Sequence, residues 1–381
     1  MNLSPMAALK SIYAKLPEDA KPFVKSAYFY TELRSRAIRE RRSVYQGKRV
    51  EFLELEIANL ESYEFLGPAP DEVLVETHCT LVSPGTETAV LCGLPGVPRG
   101  MFPFPPGYSA VGTARAVGSA IKGIMPGGRV AGRMSHANRG VMSSISLFAV
   151  PDGVSDENAS FIELGIITLQ GIRRAMIQPG DRVAVVGQGL IGQVSNRLAR
   201  ACGAAWLCGV ASSRSRVHGA LRDGHLDDFV ALKENPRLED IGADIVIEAV
   251  GTPGAVVTAM NCARPGGTVV LLGSARGLGR NIDIYSVAQA RRLTLIGAHI
   301  SVLPDRDISP QRYTYAEEGR LFFELLRTGR LNLADLITWR ARPDECNAVY
   351  EVLASGGAHH VGILFDWRTP EATTVPQGAG R

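Results

Sequence analysis

The run Val183-Ala184-Val185-Val186-Gly187-Gln188-Gly189-Leu190-Ile191-Gly192 constrains this chain more than any other. Apolar residues (Val183, Val185, Val186) predict a buried strand, and three spaced glycines predict a turn into a helix. Gly187 permits a tight turn. Gly189 lets the backbone, with Gln188 beside it, approach a pyrophosphate. Gly192 lets the helix pack closely on the strand, and the free N–H groups at its start, around Leu190 and Ile191, face the anion. The context fits this reading. Val194, Leu198 and Ala201 continue as one face of a helix, and a second strand-like run, Ala205 to Val210, follows. The expected ligand is a dinucleotide.

With 381 residues the chain is long enough for two domains, and 45% hydrophobic with 21% charged residues is a globular mix. A net charge of +3 is too small to argue for nucleic acid or a membrane surface. The six cysteines, Cys79, Cys92, Cys202, Cys208, Cys262 and Cys346, form no CxxC pair, so neither a disulfide framework nor a zinc knot is expected. Cys79, Cys208 and Cys262 sit in apolar company and read as core thiols. There is no apolar signal run and no membrane-length stretch. A cytoplasmic setting is expected.

Residues 1–46 read as a helical extension, basic around Arg34-Ser35-Arg36 and Arg39-Glu40-Arg41-Arg42, with Leu33 and Ile38 on its apolar face. From Arg49 short strands begin. Leu53–Ile57 alternates, Glu72–Thr77 is strand-like after the turn at Gly67-Pro68-Ala69-Pro70, and Pro and Gly are dense from Pro84 to Gly128. Asn158–Met176 reads as a helix. From Asp181 strands alternate with helices, the strand candidates being Arg182–Val186, Trp206–Val210, Ile245–Glu248, Thr268–Leu272 and Leu293–Gly297. This is the pattern of an α/β, doubly wound parallel sheet. Past Ser301 the alternation stops. Helices are expected at Glu317–Thr328 (apolar face Leu321, Phe322, Leu325, Leu326) and Asp344–Ala354, a last strand at Gly362–Phe365, and a disordered tail from Thr369. The nucleotide-binding unit is thus inserted in a β-rich domain, with the substrate cleft between them.

The order of motifs resembles the medium-chain dehydrogenase/reductase (alcohol dehydrogenase-like) superfamily over about residues 48 to 366. The residues carrying the resemblance are Pro106-Gly107-Tyr108-Ser109-Ala110-Val111-Gly112, Pro126-Gly127-Gly128-Arg129-Val130, Gln178-Pro179-Gly180-Asp181-Arg182-Val183 and the glycine turn. Gly242-Ala243-Asp244-Ile245-Val246-Ile247-Glu248-Ala249-Val250-Gly251, Arg264-Pro265-Gly266-Gly267-Thr268-Val269-Val270, Thr328-Gly329-Arg330-Leu331 and Leu336-Ile337-Thr338 continue it. The resemblance implies a Rossmann domain at 169–300 inserted in a GroES-like catalytic domain at 47–168 and 301–367, with a flexible tail at 368–381. It also implies a homodimer paired at the sheet edge formed by Thr268–Leu272 and Leu293–Gly297. Zinc-dependent members carry Gly-His-Glu where this chain has Gly107-Tyr108-Ser109, and a cysteine ligand at the position of Ser83. The four-cysteine structural lobe of those members is missing. Glu163 aligns with a carboxylate ligand of some members, but it reads here as a capping or surface residue. Tyrosine and serine are poor zinc ligands. The expectation is the zinc-independent branch, with no metal.

Cofactor choice is read at the end of the second strand. Ala211 stands where an acidic residue would bind the ribose diol of NAD, and Ser212, Ser213 and Arg214 follow. Hydroxyls and a guanidinium suit a 2′-phosphate, which predicts NADPH, with Arg214 a better candidate than Arg216. Further cofactor contacts are implied at Thr168, Ala249, Val250, Gly251, Gly273, Ser274 and His299. Without a metal, a hydrogen-bond donor must meet the charge that develops on a carbonyl oxygen. Tyr108 is the leading candidate, His136 the second, and Ser83 a group that orients substrate, with Thr86 and Glu87 on the same loop. Ser135 and Asn138 add polarity, and Tyr313 and Tyr315 are expected to close the pocket. The expected activity is an NADPH-dependent oxidoreductase acting on a polar ketone or alcohol, such as a sugar- or cyclitol-like intermediate. An enoyl reductase and a non-catalytic nucleotide-binding relative are the alternatives.

Overall fold

The computed structural model describes residues 32–97, 102–214, 217, 221, 223–234, 236–274, 276–279, 282–304, 313–356 and 360–368. The first thirty-one residues of the expected N-terminal helix, Arg216 and the tail from Thr369 lie outside the described residues. Residues 32–40 are helical, but only Ala37 is buried and Ile38 is 80% exposed, so Ile38 does not form the expected apolar face. The helix also ends before residue 46, because β1 already runs Val44–Glu54.

β1 pairs antiparallel with β2 (Ile57–Leu66). Leu53–Ile57 is therefore a hairpin tip rather than one strand. Glu56 turns the corner at φ 62°, and Leu53, Leu55 and Ile57 stay exposed. β3 (Glu72–Leu81), β4 (Ala110–Val117), β5 (Arg129–Gly132), β6 (Arg139–Ser143) and β7 (Leu147–Ala149) build an antiparallel sheet.

β8 (Arg182–Val186), β9 (Trp206–Ala211), β10 (Asp228–Ala231), β11 (Ala243–Glu248), β12 (Ala263–Leu271) and β13 (Thr294–Gly297) form a second sheet, all parallel, in the order β10-β9-β8-β11-β12-β13. This is the doubly wound Rossmann order, and its direction reverses between β8 and β11, where such sheets bind ligands. The central strands are buried on both faces, which is why β8 reads Val-Ala-Val-Val without alternation. Sequence reading missed β10, a four-residue strand that opens on a charge.

β14 (Ile337–Ala341) and β15 (Gly362–Asp366) return the chain to the sheet of β3–β7, where β15 pairs antiparallel with β3 and parallel with β14. The parallel sheet is therefore inserted between strands of the antiparallel one. The helix Ile162–Ala175 joins the two. Phe161, Ile162, Ile166 and Leu169 share one buried cluster with Leu81 and Val111 on one side and Val183, Val185 and Val270 on the other. The helix Tyr315–Arg327 starts at a capping box, Thr314 with Glu317, and packs Phe322, Phe323, Leu325 and Leu326 into the same cluster. Phe323 belongs to the buried face, whereas Leu321 is only half-buried. Cys79, Cys208, Cys262 and Cys346 are buried free thiols. Among the described residues no helix is long and apolar enough to cross a membrane.

Candidate active site

The glycine turn has the predicted geometry. Gly187 holds φ at 96°, a region closed to most side chains, and a Cβ there would sit 2.6 Å from Val250 Cγ2. A Cβ on Gly192 would lie 1.8 Å from the Gly187 carbonyl oxygen, so only glycine lets this helix approach the strand. Gly189 is the N-cap of the helix Leu190–Ala201 and supplies no side-chain cap, which leaves the first-turn N–H groups for a ligand. The Gln188 side chain points inward: its amide donates to Val185 and its carbonyl accepts from Asn196. Its side chain is thus turned away from the ligand side of the turn, and its backbone carbonyl accepts from the Gln193 amide at 3.3 Å.

Opposite the turn, Ala249, Val250 and Gly251 are fixed by Glu248 at the end of β11. This fully buried carboxylate accepts the N–H groups of Val250 and Gly251, each at 2.7 Å, through Oε1. Burial pushes its carboxyl up. Gly273 and Ser274 follow β12, and the Gly273 N–H donates to the Glu248 carbonyl. At the end of β9, Ser212 and Arg214 are exposed and Ser213 is half-buried. The Arg214 guanidinium lies 5.1 Å from the Phe229 ring centroid. His299 is exposed after β13, with Nδ1 2.7 Å from Ser301 Oγ. Thr168 differs from expectation. It has no exposed surface, and its hydroxyl donates to the Leu164 carbonyl within its own helix. A contact from this side chain to a cofactor is not available in this arrangement.

Two of the expected catalytic side chains meet. The Tyr108 hydroxyl donates to Ser83 Oγ at 2.6 Å. Burial pushes the Tyr108 phenol up to about 12, while the hydrogen bond to Ser83 pulls the other way. Ser83 is buried at the N-cap position of the helix Pro84–Leu91, where its side chain makes no capping hydrogen bond.

His136 does not stand in the cleft. It has no exposed surface, packs edge-on to Phe365, and lies so close beneath Gly107 that a Cβ there would be 2.7 Å from its ring. The expectation of a catalytic histidine is therefore corrected: the ring cannot touch a substrate. Its Nδ1 lies 2.7 Å from Thr80 Oγ1 and its Nε2 3.1 Å from Glu87 Oε2. Glu87, 2% exposed, also accepts the Tyr350 hydroxyl at 2.5 Å and the Ser83 N–H at 2.7 Å. The Trp367 indole N–H donates to Thr80 Oγ1. One consistent direction runs through the chain: Trp367 to Thr80, Thr80 to His136 Nδ1, and His136 Nε2–H to Glu87. The network holds the backbone of Ser83 and so the acceptor of the Tyr108 bond.

Glu163 is neither a cap nor a surface residue. It is 1% exposed in the first turn of its helix, with Oε2 2.8 Å from Arg133 Nη2 and 3.3 Å from Arg133 Nε. The Tyr315 hydroxyl donates to Oε1. Burial raises the Glu163 carboxyl, and Arg133 opposes the rise. Tyr315 is thus buried beneath the site as part of this cluster, while Tyr313 stacks on Arg173 with the guanidinium carbon 3.5 Å from its ring centroid. Sequence reasoning missed Arg133, Tyr350 and Trp367. A signal for Arg133 was present: a lone cation directly after a strand end, with a carboxylate of unassigned partner in the next helix.

Residues 191–311 match the family model described as "Zinc-binding dehydrogenase". The stretch spans β9 to β13 of the parallel sheet and contains none of Ser83, Tyr108 or Glu163. The chain is 28% identical over 247 residues to L-idonate 5-dehydrogenase of Vitis vinifera, covering 61% of this chain and 62% of that protein. It is 27% identical over 350 residues to sorbitol dehydrogenase of Ovis aries, covering 81% of this chain and 93% of that one. A zinc-binding dehydrogenase of Sinorhizobium meliloti, solved bound to NADP, superposes with a TM-score of 0.71 at 22% identity, covering 84% of this chain and 99% of that chain. The fold is that of these dehydrogenases, and by sequence the chain is similar to the zinc-binding branch of the medium-chain superfamily.

Proposed function

We propose that this chain, a medium-chain dehydrogenase, is an NADP(H)-dependent oxidoreductase that works on a polyhydroxylated alcohol or ketone without zinc. The observation that carries the reading is the glycine turn at the reversal point of the parallel sheet, paired with a second-strand end that has hydroxyls and Arg214 in place of a carboxylate. The residues present fit a dinucleotide. Gly187, Gly189 and the N–H groups around Leu190, Ile191 and Gly192 would hold the pyrophosphate, and Ser212, Ser213 and Arg214 a 2′-phosphate. Ala249–Gly251, Gly273 and Ser274 would flank the rest. When bound, the nicotinamide supplies or accepts the hydride.

The residues present do not fit zinc. Among the described residues no three His, Cys, Asp or Glu side chains converge on a metal position. Ser83 and Tyr108 are bonded to each other, the Glu163 carboxylate is paired with a guanidinium, and the Glu87 carboxylate is taken up by His136, Tyr350 and the Ser83 N–H. A second cation against Glu163 would be repelled. Tyrosine and serine hydroxyls offer no thiolate or imidazole in compensation.

The protein's own groups then divide the work. Tyr108 stays protonated at neutral pH. Its single O–H, which donates to Ser83 Oγ in the free protein, turns to the substrate oxygen as negative charge develops there, and Ser83 Oγ–H then donates to the phenol oxygen. Ser83 orients the phenol. Glu87 and His136 fix Ser83 and act as positioning residues. A polyhydroxylated substrate is supported by the names of the relatives, which act on L-idonate and sorbitol. The test is cofactor kinetics. Arg214→Ala is expected to raise the KM for NADPH by about ten-fold or more while leaving that for NADH unchanged. Equal KM values for the two cofactors in the parent, with no effect of the substitution, would refute the assignment.

A further inference from the structure

Arg133 is held as a bound ligand's receptor would be. Its Nε and Nη2 face Glu163, and its guanidinium carbon lies 5.4 Å from the Tyr315 ring centroid. Tyr315 in turn donates to the other oxygen of the same carboxylate. The anchor is buried, at 1% exposure, yet half of the Arg133 side chain (51%) is open to solvent. The hydrogen bonds of Arg133 to Glu163 leave from Nε and Nη2, the edge turned away from Nη1. A guanidinium carries five N–H donors in a rigid fork, and its two edges can serve two oxyanions at once. Tyr108 is joined to the same cluster through its chain neighbour Ser109, whose Oγ accepts the Glu163 N–H at 3.4 Å.

We propose that the open edge of Arg133 binds an oxyanion carried by the substrate, a carboxylate or a phosphate monoester, and so sets which polyol derivative presents its reacting carbon to Tyr108. The inference rests on the reading of this cleft as the substrate site. A guanidinium already immobilised by carboxylate and ring loses little freedom on binding, so its charge-assisted bonds go into affinity. A lysine could not hold Glu163 and a ligand in two planar forks.

The test is calorimetric titration of the full chain saturated with NADP+, using D-gluconate, D-glucitol 6-phosphate and neutral D-glucitol. At least one anion is expected to bind about ten-fold or more tightly than D-glucitol, and the two anions tell carboxylate from phosphate. In Arg133→Gln the anion-to-neutral ratio is expected to fall towards one, with part of it restored in Arg133→Lys. The double variant Arg133→Gln with Glu163→Gln gives the same readout if the single variant fails to fold with Glu163 unpaired. Equal or tighter binding of D-glucitol by the parent, no binding of either anion, or a ratio that survives loss of the guanidinium would overturn the inference. Failure to bind NADP+ would instead sink the cofactor reading on which it rests.

Discussion

In the mechanism proposed here Tyr108 is the residue on which the chemistry turns, and its environment bears on that role. A phenol pushed up to about 12 is a donor throughout the physiological range and a poor base. Tyr108→Phe removes the donor and keeps the ring. It is expected to lower kcat by about ten-fold or more with NADPH affinity unchanged, measured by steady-state kinetics and cofactor titration. An unchanged rate would remove Tyr108 from the mechanism. The pH dependence follows with a definite sign. The donor is present below the raised value and lost only as pH climbs through it, so no decline in kcat from Tyr108 is expected between neutrality and about pH 10. A fall in kcat with a midpoint near pH 8, abolished in Tyr108→Phe, would contradict this.

At the scale of elements, Asp156 ties the antiparallel sheet together. It stands at the start of a short helix, 2.8 Å from His78 Nδ1 on β3 and 2.7 Å from Arg129 Nη2 on β5, with Arg368 beyond β15 at 3.2 Å. The hydrogen bond from His78, with Arg129 beside it, holds this carboxyl down at about 2. A folded value below the unfolded one, about 3.9, means that its contribution is complete above that range and is lost as pH falls through the folded value. Asp156→Asn is expected to destabilise the fold by about 1–3 kcal/mol at neutral pH. It should also flatten the loss of stability between about pH 4 and 2, read by denaturant melts across pH. An identical acid limb in the variant would count against this.

The same scale shows what the sequence could reveal. β8, its glycine turn and the helix after it were legible because each depends on neighbours within a few residues: a valine run, three spaced glycines and a helical apolar period. The edge strand β10 and the hairpin at Leu55-Glu56 lack such a run. The site was half legible. Tyr108 and Ser83 stood out because they replace metal ligands of similar proteins. The burial of His136 and the partners of Glu163 did not, because these are tertiary facts: Arg133 is thirty residues from Glu163 and Tyr315 is 152 away. A histidine in a polar loop reads the same whether it faces water or, as here, Thr80 and Glu87.

At the scale of the molecule, the parallel sheet ends on β13, whose outer edge has no strand partner among the described residues. Leu295 on that edge is 43% exposed. An open apolar strand edge recruits a second strand, and a two-fold pairing satisfies both copies. A homodimer is proposed at this edge. Leu295→Lys is expected to shift the chain from dimer to monomer in sedimentation velocity, and a monomeric parent would refute the pairing. The same whole-molecule view sets the decisive test. Between the two sheets the helix Ile162–Ala175 carries Glu163, which the family resemblance aligns with a carboxylate ligand of some zinc-dependent members, and here it meets a guanidinium. Elemental analysis of active, carefully purified protein, before and after chelation, addresses this directly. Full activity with substoichiometric zinc, unaltered by chelator, is the predicted result; stoichiometric zinc lost together with activity would contradict it.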